Sequence, residues 1–253
     1  MRFEILTIFP ELFASPLQEG IIRRAAEAGQ IEVRLHNIRD WAADKHAMTD
    51  DRPFGGGEGM VMKPEPLAAC LCDVQADEPG RVILLSPRGA VYKQQTAERL
   101  AGLNKLVLVC GRYEGVDERF CQLHVDEELS LGDYILTGGE LAALVIIDSV
   151  TRLLPGVLGC ADSAAKDSFS RSLLKHGQYT RPRDFAGMAV PEVLLSGDHA
   201  RIEEYRFLES VRLTLARRPE LLRQASFSPA EEKQLKQAGL HGQVQQARAG
   251  HDC

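Results

Sequence analysis

Long apolar runs are missing from this sequence. No stretch approaches the roughly 18 consecutive apolar residues of a membrane span, so a protein with no membrane association is expected. The opening MRFEILTIFPELF carries Glu4 and Glu11 inside what would have to be a signal peptide's apolar core, and the expectation is a soluble, cytoplasmic protein. Cysteine is sparse. Six in 253 residues are too few for a disulfide scaffold, and the Cys70-x-Cys72 pair has no second Cys/His pair at zinc spacing. These read as reduced thiols, mostly packing. An excess of positive charge is absent too: the net charge is −6, which argues against nucleic-acid binding by bulk attraction.

The common catalytic signatures are equally absent. There is no G-x-x-x-x-G-K-[ST], which speaks against a P-loop NTPase, and neither H-E-x-x-H nor G-x-S-x-G occurs. The run Gly55-Gly56-Gly57-Glu58-Gly59 does not fit G-x-G-x-x-G, because Met60 and Met62 stand where the last glycine would be. There is no internal repeat.

What remains is ordinary globular composition, 44% apolar and 26% charged, with length for one large domain or a medium one plus a small one. The charge is unevenly spread. Residues 1–170 hold 17 Lys+Arg against 26 Asp+Glu, whereas residues 171–253 hold 13 against 10. That asymmetry leaves room for a polyanionic partner on the C-terminal third; a solvated helical surface would give the same count.

Residues 2–9 and 31–38 have the patterning of strands, and 11–28 between them has helical spacing that stops at Gly29. Strand 81–86 precedes a helical stretch 92–102, strand 105–110 precedes 115–123, and 138–154 reads as a long helix ending at Pro155. Such alternation predicts βαβ units: an α/β fold with a mostly parallel sheet. Residues 156–170 are small, polar and rich in Gly, Ala and Ser, as a linker or mobile loop is. From about 191 the pattern is helical, with Ile202, Tyr205, Leu208, Val211 and Leu215 on one stripe and Pro219 opening another short helix. The polar tail from Gly239 is expected to fray.

Three glycine-bearing loops follow apolar strands: Ser86-Pro87-Arg88-Gly89, Gly111-Arg112-Tyr113-Glu114-Gly115, and Gly132 through Gly139. Ligands of parallel sheets bind at the carboxyl ends of strands, and glycine lets backbone approach them closely. Any one loop is equally a plain βα turn; three in series point to a small-molecule site.

These residues carry a resemblance. Asp51 to Gly57 (DRPFGGG), Leu108 to Arg119 (LVCGRYEGVDER), Gly132 to Glu140 (GDYILTGGE) and Arg152 to Gly159 (RLLPGVLG) resemble the bacterial tRNA (guanine-N1)-methyltransferase family of SPOUT-type knotted enzymes. The similarity continues through Asp167-Ser168-Phe169, His176 to Pro182 (HGQYTRP) and Val190 to Ala200, covering nearly the whole chain. It implies methyl transfer from S-adenosylmethionine to N1 of the guanosine just 3′ of the anticodon (position 37) in tRNA. It also implies an α/β domain with a deep C-terminal trefoil knot followed by a small all-helical domain, and a homodimer with sites at the interface. Periodicity carries no sign of a knot. The domains so expected are 1–158 for the cofactor, a linker at 159–171, and 172–253 for tRNA.

Mapped by motif, the resemblance puts Leu84, Leu85, Ser86, Pro87, Gly111, Tyr113, Glu114, Ser130, Leu131, Gly132, Tyr134, Leu136, Gly138 and Gly139 around the cofactor. Core is the alternative for Tyr134. Arg152 and Asp167 match the catalytic pair: Asp167 to take the N1 proton, Arg152 to stabilise charge on O6. Taken alone, Asp167 would be a solvated loop residue or a helix N-cap. His46, Asp50 and Arg52 are expected to meet tRNA bases. Arg181, Arg183 and Arg201 are candidates for phosphate contacts, with Arg206, Arg212, Arg217 and Arg218. The family also implies a magnesium ion, for which no ligand cluster identifies a site. Two other readings compete: a nucleic-acid-binding module without catalysis, and a knotted methyltransferase acting on rRNA or on a ribose hydroxyl.

Overall fold

A computed structural model describes residues 1–159 and 167–250. The chain divides into two compact units, Met1–Cys160 and Ala161–Cys253.

The first unit begins with β1 (Arg2–Thr7), α1 (Ala14–Leu17), α2 (Gly20–Glu27) and β2 (Glu32–Asn37). It continues through a two-residue pair, β3 (Asp50–Asp51) and β4 (Val61–Met62), then α3 (Pro64–Gln75), β5 (Arg81–Val91), α4 (Gln94–Ala101) and β6 (Lys105–Cys110). It closes with α5 (Glu118–His124), β7 (Glu127–Ser130) and α6 (Glu140–Thr151). Five strands form one parallel sheet in the order β2-β1-β6-β5-β7. The α/β reading therefore stands. Alternate side chains take opposite faces, as the pleat requires. Phe3, Ile5, Ile83, Leu85, Leu106 and Leu108 pack on one side with Ala143 and Ile147 of α6, and Leu6, Val82, Leu84, Val107 and Val109 pack on the other with Leu67 of α3 and Phe120 of α5. All six residues of the central strand β6 are buried. That includes Lys105, whose Nζ donates to the carbonyls of Val74 (2.5 Å) and Glu78 (2.7 Å) and to Asp77 Oδ1 (3.1 Å). A buried ammonium persists only with such a set of acceptors.

Several local expectations are corrected. The stretch 11–28 is not one helix: a 3-10 turn at Pro10–Phe13 and the short α1 precede α2, which Gly20 opens at φ +60°. Strand 81–86 runs on to Val91, because after a register shift Leu129 faces both Leu85 and Ala90. The extra residues, Ser86 to Gly89, bulge from the ladder, and a Cβ at Gly89 would collide with the Glu128 backbone.

The second unit holds a hairpin of β8 (Asp184–Phe185) and β9 (Met188–Ala189), then α7 (His199–Arg217), α8 (Pro229–Gln237) and α9 (His241–Ala249). Helix α7 starts at 199 rather than near 191, where its N-cap Asp198 accepts from Ala200 and Arg201 backbone N–H groups. Pro219 opens a 3-10 turn, Pro219–Arg223. Helix α8 has a capping box of Ser228 and Glu231. The tail does not fray at Gly239. That glycine, at φ +70°, ends α8, Leu240 N–H donates back to Leu235 carbonyl (2.9 Å), and Val244 of α9 is fully buried with Val211 and Leu222. Residues 167–171, taken from sequence as linker, bond within this unit: Phe169 N–H donates to Leu173 carbonyl and Arg171 pairs with Glu231 at 2.8 Å.

Candidate active site

At the carboxyl ends of β5, β6 and β7 lies a cavity of about 250 Å³. Its floor is apolar: Leu84 and Leu85 are 3% and 6% exposed, and Leu129 is buried beside them. Its walls are the loop after β6, the bulge of β5, and the 131–139 loop that enters α6. Of the residues assigned to the cofactor from sequence, Leu84, Leu85, Ser86, Pro87, Gly111, Tyr113, Glu114, Ser130, Leu131, Tyr134, Leu136, Gly138 and Gly139 all line this one cavity. Gly132 does not; it sits at φ +147° in a turn where its N–H donates to Ser130 Oγ (3.1 Å). Tyr134 is no core residue: it is 55% exposed.

Arg112, Ile135 and Thr137, inside the stretches Gly111–Glu114 and Ser130–Gly139 that the resemblance assigns, line the cavity too, whereas Arg88, Gly115, Val116, Leu129 and Ala142 fall outside the assigned stretches. Arg88 bridges Glu118 and Glu128, each at 3.0 Å. Arg112 pairs with Glu140, which is 1% exposed and also accepts from Thr7 Oγ1 at 2.8 Å. An arginine and a glutamate inside two glycine-rich motifs were the available signals. The glycines are sterically required where the walls meet. A Cβ at Gly139 would lie 2.7 Å from Cys110 Cα, and Gly139 N–H donates to Gly111 carbonyl (3.0 Å). Burial pushes the Cys110 thiol well up, aided by the Glu140 carboxylate, so it is an inert strand-end residue.

The triple-glycine segment is tied to the same wall. Glu114 N–H donates to Met60 carbonyl (2.9 Å), Met62 N–H to Gly115 carbonyl (2.9 Å), and Gly59, at φ +81°, leaves room for the Glu114 side chain. Near this segment His46 and Arg52 are exposed and Asp50 is half-buried in β3.

Arg152 caps the C-terminus of α6 and is half-buried. Asp167 belongs to the second unit, where its side chain is 28% exposed and Oδ1 lies 2.8 Å from Lys175 Nζ. The expected exposed loop carboxylate is thus a half-buried, ion-paired one. Arg181 and Arg183 line a second cavity, of about 360 Å³, with His176, Gln178, Tyr179 and Arg206. Arg201 is exposed in the first turn of α7 and lines neither cavity. Arg206, Arg212 and Arg218 pair with Glu203, Glu209 and Glu220, which makes them helix-surface charges as much as phosphate contacts. Among the described residues no group of three or more His, Cys, Asp or Glu side chains is placed to hold a metal ion. No described helix is long and apolar enough to cross a membrane.

The profile of the family described as tRNA (guanine-1)-methyltransferase TrmD matches residues 1–224. The chain belongs to that family. Curated relatives agree. The tRNA (guanine-N(1)-)-methyltransferase of Geotalea uraniireducens is 53% identical over 238 residues, covering 94% of this chain and 96% of that protein. Enzymes of the same name from Geobacter sulfurreducens and Chloroflexus aggregans are each 55% identical, over 91% and 89% of this chain and 95% and 89% of theirs.

Proposed function

We propose that this family member methylates N1 of the guanosine immediately 3′ of the anticodon (position 37) in tRNA, using S-adenosylmethionine. The observation that carries the reading is the cavity at three strand ends, formed by the motifs that the family match spans. The cavity fits a cofactor of this kind. Buried Leu84 and Leu85 offer an apolar surface for an adenine face, glycine backbone lies open at the walls, and exposed Glu114 offers a carboxylate for a ribose hydroxyl or a cationic end. When bound, S-adenosylmethionine supplies a methyl group already activated on a sulfonium, which leaves alignment and proton removal to the protein.

In this reading Asp167 takes the N1 proton. Its ion pair with Lys175 presupposes the ionised form a base needs, and tRNA binding would draw that lysine away. Arg152 stabilises the negative charge that grows on O6; its guanidinium stays cationic and presents several donors. The first 158 residues hold the cofactor, with a deep trefoil knot in their C-terminal part. The segment 159–171, whose last five residues bond to the second unit, leads into a helical tRNA-binding domain at 172–253. His46, Asp50 and Arg52 meet bases, and Arg181, Arg183 and Arg201 meet phosphates. A homodimer in the cytoplasm completes the reading. It is supported by exposed apolar side chains on one face of α6, Leu141 (57%) and Val145 (44%), with Leu12 at 47% and Ile135 at 80%.

The test is transfer of labelled methyl from S-adenosylmethionine to tRNA transcripts bearing guanosine or adenosine at position 37. Only the guanosine transcript should be methylated. Asp167→Ala should slow transfer about 10²- to 10⁴-fold while cofactor binding persists. Transfer that ignores base identity would overturn the substrate, and full activity in Asp167→Ala would overturn the base.

A further inference from the structure

One charged pair in the cavity wall has no part in the steps above. Glu140, the first residue of α6, is 1% exposed. Its carboxylate accepts from Arg112 Nε at 3.0 Å, Arg112 Nη2 at 3.0 Å and Thr7 Oγ1 at 2.8 Å. The third guanidinium nitrogen, Nη1, donates to the Thr137 carbonyl at 3.2 Å, and the guanidinium lies 4.5 Å from the centre of the Phe9 ring. Every nitrogen of Arg112 thus donates to an acceptor of the protein itself. The group joins three segments: the 111–115 loop, the 132–139 loop and the end of β1.

The two loops meet through the backbone hydrogen bond from Gly139 N–H to the Gly111 carbonyl (3.0 Å), and the charged pair adds a second tie. Tyr113 sits at φ +57°, a left-handed conformation that a residue with a side chain keeps only when its surroundings impose it, while Gly115 at +111° and Gly132 at +147° take theirs without a Cβ clash. Stability alone is a poor reason for the pair, because a well-packed apolar pair generally serves a core as well or better. A planar fork, by contrast, holds the Thr137 carbonyl of one wall and the Glu140 carboxylate at once. Gly138 leaves no alternative packing, since a Cβ there would collide with both charged groups.

We infer that Arg112, Glu140 and Thr7 are positioning residues of the cofactor site, fixing the separation of its two glycine-rich walls. Thr7 lines no part of the cavity and acts through Glu140; its own oxygen also accepts from Phe9 N–H at 2.9 Å, which anchors it. The inference rests on reading this cavity as the S-adenosylmethionine site.

The experiment is calorimetric titration of the full-length protein with S-adenosylhomocysteine, alongside tRNA affinity, thermal melting and hydrogen exchange. Wild type must bind; if it does not, the reading of the cavity fails and takes this inference with it. Given that binding, Glu140→Gln should weaken Kd about tenfold and Thr7→Val about threefold, with tRNA affinity unchanged. Arg112→Lys should bind as weakly as Glu140→Gln, because an ammonium keeps the charge and loses the fork. The double variant Arg112→Met/Glu140→Leu guards against misfolding: it should melt near wild type yet bind weakly, with faster exchange in 111–115 and 132–139. If the folded double variant and Thr7→Val both bind like wild type, the pair is structural only and the inference is overturned.

Discussion

The cavity of the first unit is floored by buried leucines and walled by backbone, with glycines 111, 115, 138 and 139 among its lining. That of the second unit is larger, and it is lined by Arg181 and Arg183 from the segment before α7 and by Arg206 of α7. Backbone walls on a sheet are rigid, and they suit a small ligand recognised by shape and by fixed hydrogen bonds. Guanidiniums on long side chains suit a polyanion whose phosphates are met one by one. On the proposed function one chain therefore contains two kinds of recognition, one set by shape and one set by charge.

The largest effect should come from adding a methyl to the rigid cavity. In Gly139→Ala the new Cβ meets Cys110 Cα at 2.7 Å and Gly111 N at 3.2 Å, both backbone, so neither can swing aside. Binding of S-adenosylhomocysteine should be lost and stability should fall by about 1–3 kcal/mol in thermal melts. The matched change in the second unit is Gly242→Ala in α9, where a Cβ meets nothing within 4 Å; it should stabilise by up to about 1 kcal/mol. Equal losses at both positions would erase the contrast.

A middle-sized effect is expected in the cationic cavity. Arg181→Ala with Arg183→Ala should weaken tRNA binding and lower the slope of log K against log salt by about one for each phosphate no longer neutralised. Affinity for S-adenosylhomocysteine should not move. A salt slope unchanged from wild type would show that these arginines do not meet phosphate.

The smallest effect lies at the other end of the sheet. Its hydrogen bond from Lys105 holds the Asp77 carboxyl below the usual range, at about 2, with further help from the Glu78 backbone and Arg2. A depressed folded-state value means that the stabilisation is whole at neutral pH and disappears as pH falls through that value. The melting temperature of Asp77→Asn should therefore sit below wild type at pH 7, and the two should converge towards pH 2. A gap independent of pH would point to packing instead.

The alternation of strands and helices was legible because β5 and β6 carry continuous apolar runs followed by turn residues, and glycine loops could be placed from those runs. Helix α3 was not foreseen: Pro64 and Pro66 stand in its first turn, where proline is tolerated but reads as a breaker. The β5 bulge was invisible, because Ser86 to Gly89 looks like any turn and only the partner strand reveals that pairing resumes. Gly239 and Leu240 carried the signal of a capped helix end, yet their polar surroundings suggested fraying. For the site, Arg112 and Glu140 stood in quoted motifs without a role, since 28 residues separate them and only the fold makes them touch. Parts of the 156–170 segment lie outside the described residues.

Strand order also bears on how the chain acquires its structure during synthesis. Once β1 and β2 have paired, β1 keeps an unpaired edge until β6 emerges, because its other neighbour begins at Lys105. At roughly 5–20 residues per second that wait lasts several seconds. Throughout it, a strand edge carrying Phe3, Ile5 and Leu6 stays open to the wrong neighbour.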